Sequence, residues 1–471
     1  MIRINYQKII VAFVLIAIII RIFLLFFNPI SMWADPVQRY IPDSYRIIDG
    51  DLTFYTPLLL STLNAIPILF FNSNLLEFFW KFIPFLFFLG SVFFFLMILK
   101  KIELNNISKI FLLGLFLFNV YSLLTSTTVM QEFLVLFFTL SLFYIFESKR
   151  ANFKIGILIT ILSTLLLYTK DSGLLIFVGF FLYTLLNKRD KKEKFILISA
   201  LLLSFCLYLP WMIKNYYIYG MLIGGNGAYG KGFAQDGFFD FKIKLDYLKG
   251  ILEMAYRIPA STTLTKAGYQ GIISLISKAY YVFFMGFVSI FTICVLAGSV
   301  KYFKKYIGYI YLILPILSMV IWLSFFSPFH FIHDFGRYMF SFYFIYFFFG
   351  LKFIENINKN IIRRGLYLVV LGIIILSIFT SIIYSVNFHY KDQEIRKVND
   401  FLKEDKNFNE KFTTNDAYTE AALSFYSSDS RKDIRSEKNK LNSSIVCEEP
   451  IYKSKKYLVS NINQEYYVCI I

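Results

Sequence analysis

The chain has 471 residues, 57% of them hydrophobic and 20% aromatic, and its mean hydropathy of +0.60 lies above the range of soluble domains. Its 48 Lys and Arg against 31 Asp and Glu give a formal charge of +17. That excess is carried by short links between apolar runs, as in multi-pass membrane proteins, and this distribution argues against nucleic acid as a partner.

The first apolar run, 9–27, follows Arg3 and Lys8 and is not followed by a small-x-small cleavage site, so it is expected to stay as a signal anchor. Residues 28–56 read as a polar loop. The stretch 57–71 is apolar but short and bounded by proline, and is expected as a helix lying along the interface. Further spans are predicted near 78–99, 107–124, 129–146, 155–169, 172–186, 195–213, 278–300, 307–325, 337–351 and 365–386. The expected fold class is α: a polytopic transmembrane helical bundle of about eleven spans over 1–386, then a small soluble α/β domain over 387–471.

Basic residues orient this bundle. Lys100/Lys101, Lys149/Arg150, the cluster Lys188–Lys194, Lys301/Lys304/Lys305 and Lys352/Arg363/Arg364 occupy one set of links, while the loops near 122–128 and 326–336 hold none. The first set is expected to face the cytoplasm. With eleven spans, the loops 28–77 and 214–277 and the chain beyond 387 then face outward.

Unusual residues gather in those outward segments. The 28–56 loop holds Asp35, Asp43, Asp49 and Asp51 with Arg39 and Arg46. A solvated loop accounts for them, and so does a catalytic carboxylate held at the membrane surface. Glu132 follows Thr125–Gln131, where it serves either as an acid in a first helical turn or as a second functional acid. Lys170-Asp171 is wedged between two spans, as a self-neutralising turn or with Lys170 directed to a phosphate.

The run Ser327–Tyr338 includes His330, His333, Asp334 and Arg337. Asp49, Asp51, His330 and His333 are candidates for acceptor or metal binding, with Asp334 beside the histidines, although no further strong metal ligand stands nearby. Arg337 has the forked donors that suit phosphate oxygens, or it snorkels to headgroups. The glycine-rich 224–232 region lacks the Gly-Lys-Ser/Thr ending of a nucleotide cradle, leaving a connector or a flap over the site.

After His389 the composition turns polar. Val398–Glu404 and Ala417–Tyr426 read as helices, and Ser444–Cys447, Lys456–Val459 and Tyr466–Ile471 as strands. Cys447 and Cys469 are placed to form a disulfide in an oxidising compartment, whereas Cys206 and Cys294 lie in spans as packing residues.

Taken in order, these pieces resemble the membrane glycosyltransferases of the C superfamily, particularly bacterial relatives of protein O-mannosyltransferases and of aminoarabinose transferases acting on lipid A. The resemblance rests on Asp35 after the first span, Tyr40, Gly50, Tyr55-Thr56-Pro57-Leu58, Glu132, Thr169-Lys170, Leu209-Pro210-Trp211 with Asn215-Tyr216, and Arg337-Tyr338. Pro36 stands where an acid is frequent, leaving either Asp35 or Asp43 as the key acid, and Lys81 and Lys214 replace a common Arg.

The resemblance implies transfer of a sugar from a polyprenyl-phosphate donor to an extracytoplasmic glycan, lipid or protein acceptor at a bacterial cell membrane. Asp35, with Asp43 in reserve, would act as general base. Glu132 would position the acceptor, and Lys170, Arg337 and Tyr338 would meet the donor phosphate. No cofactor is required, although a divalent cation is compatible. Membrane lipids are the other expected partner. The alternatives are a polysaccharide polymerase or ligase, which ordinarily lacks the acid after the first span, and a lipid-linked glycan transporter, which would ordinarily show internal repeats and midplane charges.

Overall fold

A polypeptide in lipid must satisfy every backbone N–H and C=O internally, and the long apolar runs of this chain do so as helices. The computed structural model describes residues 6–32, 35–54, 56–71, 73–148, 151–187, 189–220, 222, 272–326, 339–405, 412–414, 417–427, 440–441, 447, 450–454, 457–462 and 465–470. Among these, five helices are long and apolar enough to cross a membrane: α1 (Tyr6–Phe27), α4 (Ser73–Lys101), α10 (Lys191–Tyr219), α11 (Ile272–Tyr302) and α14 (Asn360–Glu404). Shorter apolar helices accompany them: α3 (Leu58–Phe70), α5 (Asn106–Phe118), α8 (Phe153–Leu167) and α9 (Ser172–Leu186). The protein is a multi-pass helical membrane bundle with a small C-terminal sheet domain.

The chain forms two compact units. The first comprises Met1–Arg21, Leu86–Ser126 and Gln131–Ser381; the second comprises Ile22–Phe85, Thr127–Met130 and Ile382–Ile471. In the first, small residues let helices approach closely, the packing favoured where lipid removes any hydrophobic drive. A Cβ on Gly298 of α11 would stand 2.1 Å from the Phe349 carbonyl oxygen of α13 (Tyr343–Glu355). One on Gly179 of α9 would stand 2.4 Å from the Leu312 carbonyl oxygen of α12 (Ile307–Phe326). Helices α8 and α10 are joined by Thr160 donating to the Ala200 carbonyl and Ser204 donating to that of Thr160.

The predicted span 107–124 is broken. Asn119 accepts from the N–H groups of Tyr121 and Ser122, ending α5 and starting α6 (Val120–Thr125). Broken membrane helices need their freed carbonyls satisfied, and Arg21 supplies that. Fully buried in α1, it donates to the carbonyls of Ala17 and Leu117 and to the hydroxyls of Ser122 and Ser126. Its guanidinium also lies 3.8 Å from the centre of the Phe88 ring.

In the second unit, the expected polar loop 28–56 is largely helical, with a 3-10 turn at Ile30–Met32, a π turn at Pro36–Tyr40 and helix α2 at Ile41–Ile48. The helix expected at the chain's last span and the one expected at Val398–Glu404 are a single 45-residue element, α14. It is about 67 Å long at about 1.5 Å per residue, roughly twice the hydrocarbon thickness. Its end supplies Ile395, Val398 and Leu402 to the core of the C-terminal domain, beside Phe412, Leu423, Tyr457 and Val468.

That domain holds α15 (Ala417–Ser427) and a five-stranded sheet in the order β2-β1-β5-β4-β3. The strands are β1 (Phe412–Thr414), β2 (Lys440–Leu441), β3 (Tyr452–Lys453), β4 (Tyr457–Ile462) and β5 (Glu465–Ile470). Strand β1 pairs in parallel with β2 and β5, while β4 runs antiparallel to both β3 and β5. The strand expected at Ser444–Cys447 lies outside the described residues except for Cys447, which is bonded to Cys469 of β5 with Cα atoms 5.9 Å apart.

Candidate functional site

The acid-bearing segment begins where α1 ends. Lys81 of α4, itself buried, donates to the carbonyls of Leu25 (2.6 Å) and Asn28 (3.0 Å), at the carbonyl-rich end of that helix where a cation is favoured. Asn28 in turn donates to the hydroxyl of Thr127. Asp35 then leads into the π turn, followed by Pro36, and Pro42 stands in the first turn of α2. Both prolines sit where no helical N–H is needed.

Asp35 and Asp43 share this helical segment but differ in surroundings. The Asp35 side chain is 17% exposed and lies 3.2 Å from Arg39, one turn along. Asp43 is fully buried, in the first turn of α2. Its carboxylate accepts from the Thr56 hydroxyl, and Arg46 stands at 4.0 Å. Asp43 thus ties α2 to the chain entering α3, whereas Asp35 stays partly exposed beside Arg39.

Asp49-Gly50-Asp51 is a helix stop. Gly50 has φ of 76°, and the N–H groups of Gly50 and Asp51 donate back to Ile47 and Arg46, the paired bonds of a Schellman ending. An Asp51 carboxylate oxygen accepts from the backbone N–H and hydroxyl of Thr53. Among the described residues, no three His, Cys, Asp or Glu side chains are grouped so as to hold a metal ion.

Glu132 and Lys170 belong to the first unit, whereas Asp35 and Asp43 belong to the second. The break at Asn119 shortens the span, and every residue from Thr125 to Glu132 is buried. Glu132 opens α7 (Glu132–Ser148), so its acid sits in the first turn as the sequence suggested. Its carboxylate accepts from Lys170 at 3.0 Å, with side-chain exposures of 1% and 12%. Lys170 is therefore held by an acid from another helix, a pairing that spacing along the chain does not reveal.

Arg337, Tyr338, His330, His333 and Asp334, together with the glycine-rich 224–232 region, lie outside the described residues. Sequence reasoning passed over two features. Arg21 was legible as a lone charge inside an apolar run. The other is a cluster on the extension of α14, where Asp392 and Arg396 look like an exposed i,i+4 pair. Asp392 is buried and accepts from Ser31, Tyr426 and Arg396; Arg396 also reaches both oxygens of Glu77 at 3.0 Å. Burial and then Asp392 push the Tyr426 hydroxyl well above the ordinary tyrosine range. Burial lowers the Arg396 value, but Tyr426, Asp392 and Glu77 outweigh it and raise it.

No family model matches the sequence, and no characterised protein matches it in sequence. Among solved structures, the fold is similar to that of an oligosaccharyltransferase from the archaeon Archaeoglobus fulgidus, tethered through a disulfide bond to an acceptor peptide containing the NVT sequon. The two are 12% identical with a TM-score of 0.50, over 90% of this chain and 63% of that one. A second structure, the Archaeoglobus fulgidus oligosaccharyltransferase AglB with an inhibitory peptide and a dolichol-phosphate, aligns at 13% identity, TM-score 0.47 and the same coverages. The chain thus spans less than two thirds of the length of the proteins it matches. The likeness is one of fold: a helical membrane bundle with a small C-terminal domain.

Proposed function

We propose that this protein is an integral membrane glycosyltransferase that moves a sugar from a polyprenyl-phosphate donor to an extracytoplasmic acceptor. The observation that carries the reading is the fold likeness to an oligosaccharyltransferase over 90% of the chain. The ordered motifs from Asp35 to Arg337-Tyr338 supply the chemistry. The cell is read as bacterial, with the acid-bearing segment and the C-terminal domain facing outward.

The acceptor hydroxyl or amine is a weak nucleophile. Asp35, the more accessible acid, takes its proton as the acceptor attacks the anomeric carbon. The bond from that carbon to the phosphate oxygen breaks, and the electron pair leaves with polyprenyl phosphate. Phosphate is a good leaving group, so no general acid is needed. The motif order assigns the accumulating charge to Lys170, Arg337 and Tyr338. Asp43 holds the segment in shape, and Glu132 fixes Lys170.

The test is transfer of radiolabelled sugar from a polyprenyl-phosphate donor in membranes containing the protein. Asp35→Asn, expressed at the level of the wild type, is expected to lower transfer by about 10²–10⁴-fold, the usual worth of a general base. Unimpaired turnover removes Asp35 from that role. Absence of any transfer by the wild type, across donors of this class, overturns the reading itself.

A further inference from the structure

The end of α14 joins three other parts of the second unit through Asp392 and Arg396. Ser31 lies in the 3-10 turn just before the Asp35 segment, Glu77 near the start of α4, and Tyr426 near the end of α15. The Ser31 hydroxyl donates to one Asp392 oxygen, and the Tyr426 hydroxyl donates to the same oxygen at 2.7 Å. Arg396 donates to the other oxygen at 2.8 Å, to Glu77, and to the Tyr426 hydroxyl at 2.8 Å; its guanidinium lies 4.4 Å from the Tyr426 ring centre. Helix α15 also packs directly on the 3-10 turn at Ile30–Met32 and the π turn at Pro36–Tyr40.

This arrangement is expensive if it serves only to attach a domain. Burying Asp392 requires full hydrogen bonding, and its partners come from segments far apart in the chain. The sheet and α15 already have an apolar core with Ile395, Val398 and Leu402 of α14, which anchors the domain without any polar contact to the Asp35 segment. The polar contacts therefore do something the core does not. They hold the 3-10 turn just before Asp35, while the packing of α15 holds the π turn that Asp35 leads into.

We infer that the C-terminal domain is a positioning element for the Asp35 segment, acting through Tyr426 and Asp392 on Ser31, with Arg396 and Glu77 holding Asp392 in place. The inference rests on the transferase reading for what the segment does, but not for the coupling itself. Tyr426 and Ser31 are positioning residues: neither is required to touch substrate.

The experiment compares purified full-length wild type, Tyr426→Phe and Ser31→Ala by amide hydrogen exchange and by donor-dependent sugar transfer. Tyr466→Phe is the control, because it removes a tyrosine hydroxyl bond of the same domain, to Asp405 rather than to Asp392 or Arg396. Exchange over residues 35–48 is expected to rise about fivefold in Tyr426→Phe and Ser31→Ala, the effect of losing one hydrogen bond of average strength, and to stay at the wild-type rate in Tyr466→Phe. Turnover is expected to fall in the first two with KM for the donor unchanged, since positioning of the acid is lost rather than donor binding. Unchanged exchange over 35–48 in both variants overturns the inference, as does an equal rise in Tyr466→Phe, which would mean general loosening of the domain. If exchange responds as expected while the wild type transfers no sugar, the coupling stands and the transferase reading fails.

Discussion

Removing one member of the Glu132–Lys170 pair tests whether it is a structural bond, a functional one, or both. The charges lie 3.0 Å apart. With an effective dielectric near 20 their attraction is about 5.5 kcal/mol, much of it offset by the cost of taking two ions out of water. A single substitution mainly reads the penalty of the charge left behind, about 3–5 kcal/mol for a fully buried partner. The two sides are not equivalent. Glu132 is 1% exposed and cannot reach water, so Lys170→Met strands a carboxylate and is expected near the top of that range. Lys170 is 12% exposed on a flexible stem, so Glu132→Gln lets its amine turn outward and is expected to cost less. The double variant carries no stranded charge and is expected to recover most of the lost stability. The assay is thermal unfolding of purified protein in detergent, read beside sugar transfer in membranes. If Lys170 serves the donor phosphate, the double variant regains stability without regaining transfer. Single variants that unfold at the wild-type temperature, or a double variant that loses the sum of both, would refute the coupling. Full transfer by the double variant would leave the pair a purely structural one.

Two glycines on one helix separate packing from propensity. Gly298→Ala puts a Cβ 2.1 Å from the Phe349 carbonyl oxygen and is expected to cost about 1–3 kcal/mol through overpacking. Gly286→Ala meets nothing within 4 Å and is expected to be neutral or stabilising by up to about 1 kcal/mol from helix propensity; equal unfolding temperatures for the two would refute the close helix contact. Alkaline pH should loosen the C-terminal domain. The fold holds Tyr426 in its neutral form with a raised value, so its contribution is complete below the ordinary tyrosine value of about 10 and is lost as pH rises through the raised one. Near-ultraviolet circular dichroism of wild type and Tyr426→Phe, titrated upward from neutral pH, checks this; an alkaline loss of the same size in both would show that Tyr426 is not responsible.

The class of this protein was legible in its residues because lipid leaves a chain few choices. Apolar runs without polar partners must be helices, and the helices α1, α4, α8, α9 and α10 follow the predicted spans closely. The sharp change of composition at His389 likewise announced a polar domain, and its helix at Ala417–Ser427 and strands at Tyr457–Ile462 and Glu465–Ile470 lie where local pattern placed them. Hydropathy misled where composition and conformation part ways. It separated α14 into a span and a soluble helix, although no Gly or Pro stands between Ile373 and Glu404 to end the helix. It joined α5 and α6, although Asn119 could cap a new helix once Arg21 took up the freed carbonyl. It also read the charged 28–56 segment as loop, where prolines at helix-starting positions and a glycine stop build short helices.

The tertiary structure alone decided which polar groups meet. Glu132 and Lys170 are 38 positions apart, and Ser31 and Asp392 are 361 apart. No local rule connects residues at such distances, because their encounter depends on how helices stack and not on the propensity of any one segment. The same separation of scales gives Asp35 and Asp43 their different characters: the sequence presents two similar acids, and only the packing around α2 buries one fully and leaves the other partly exposed.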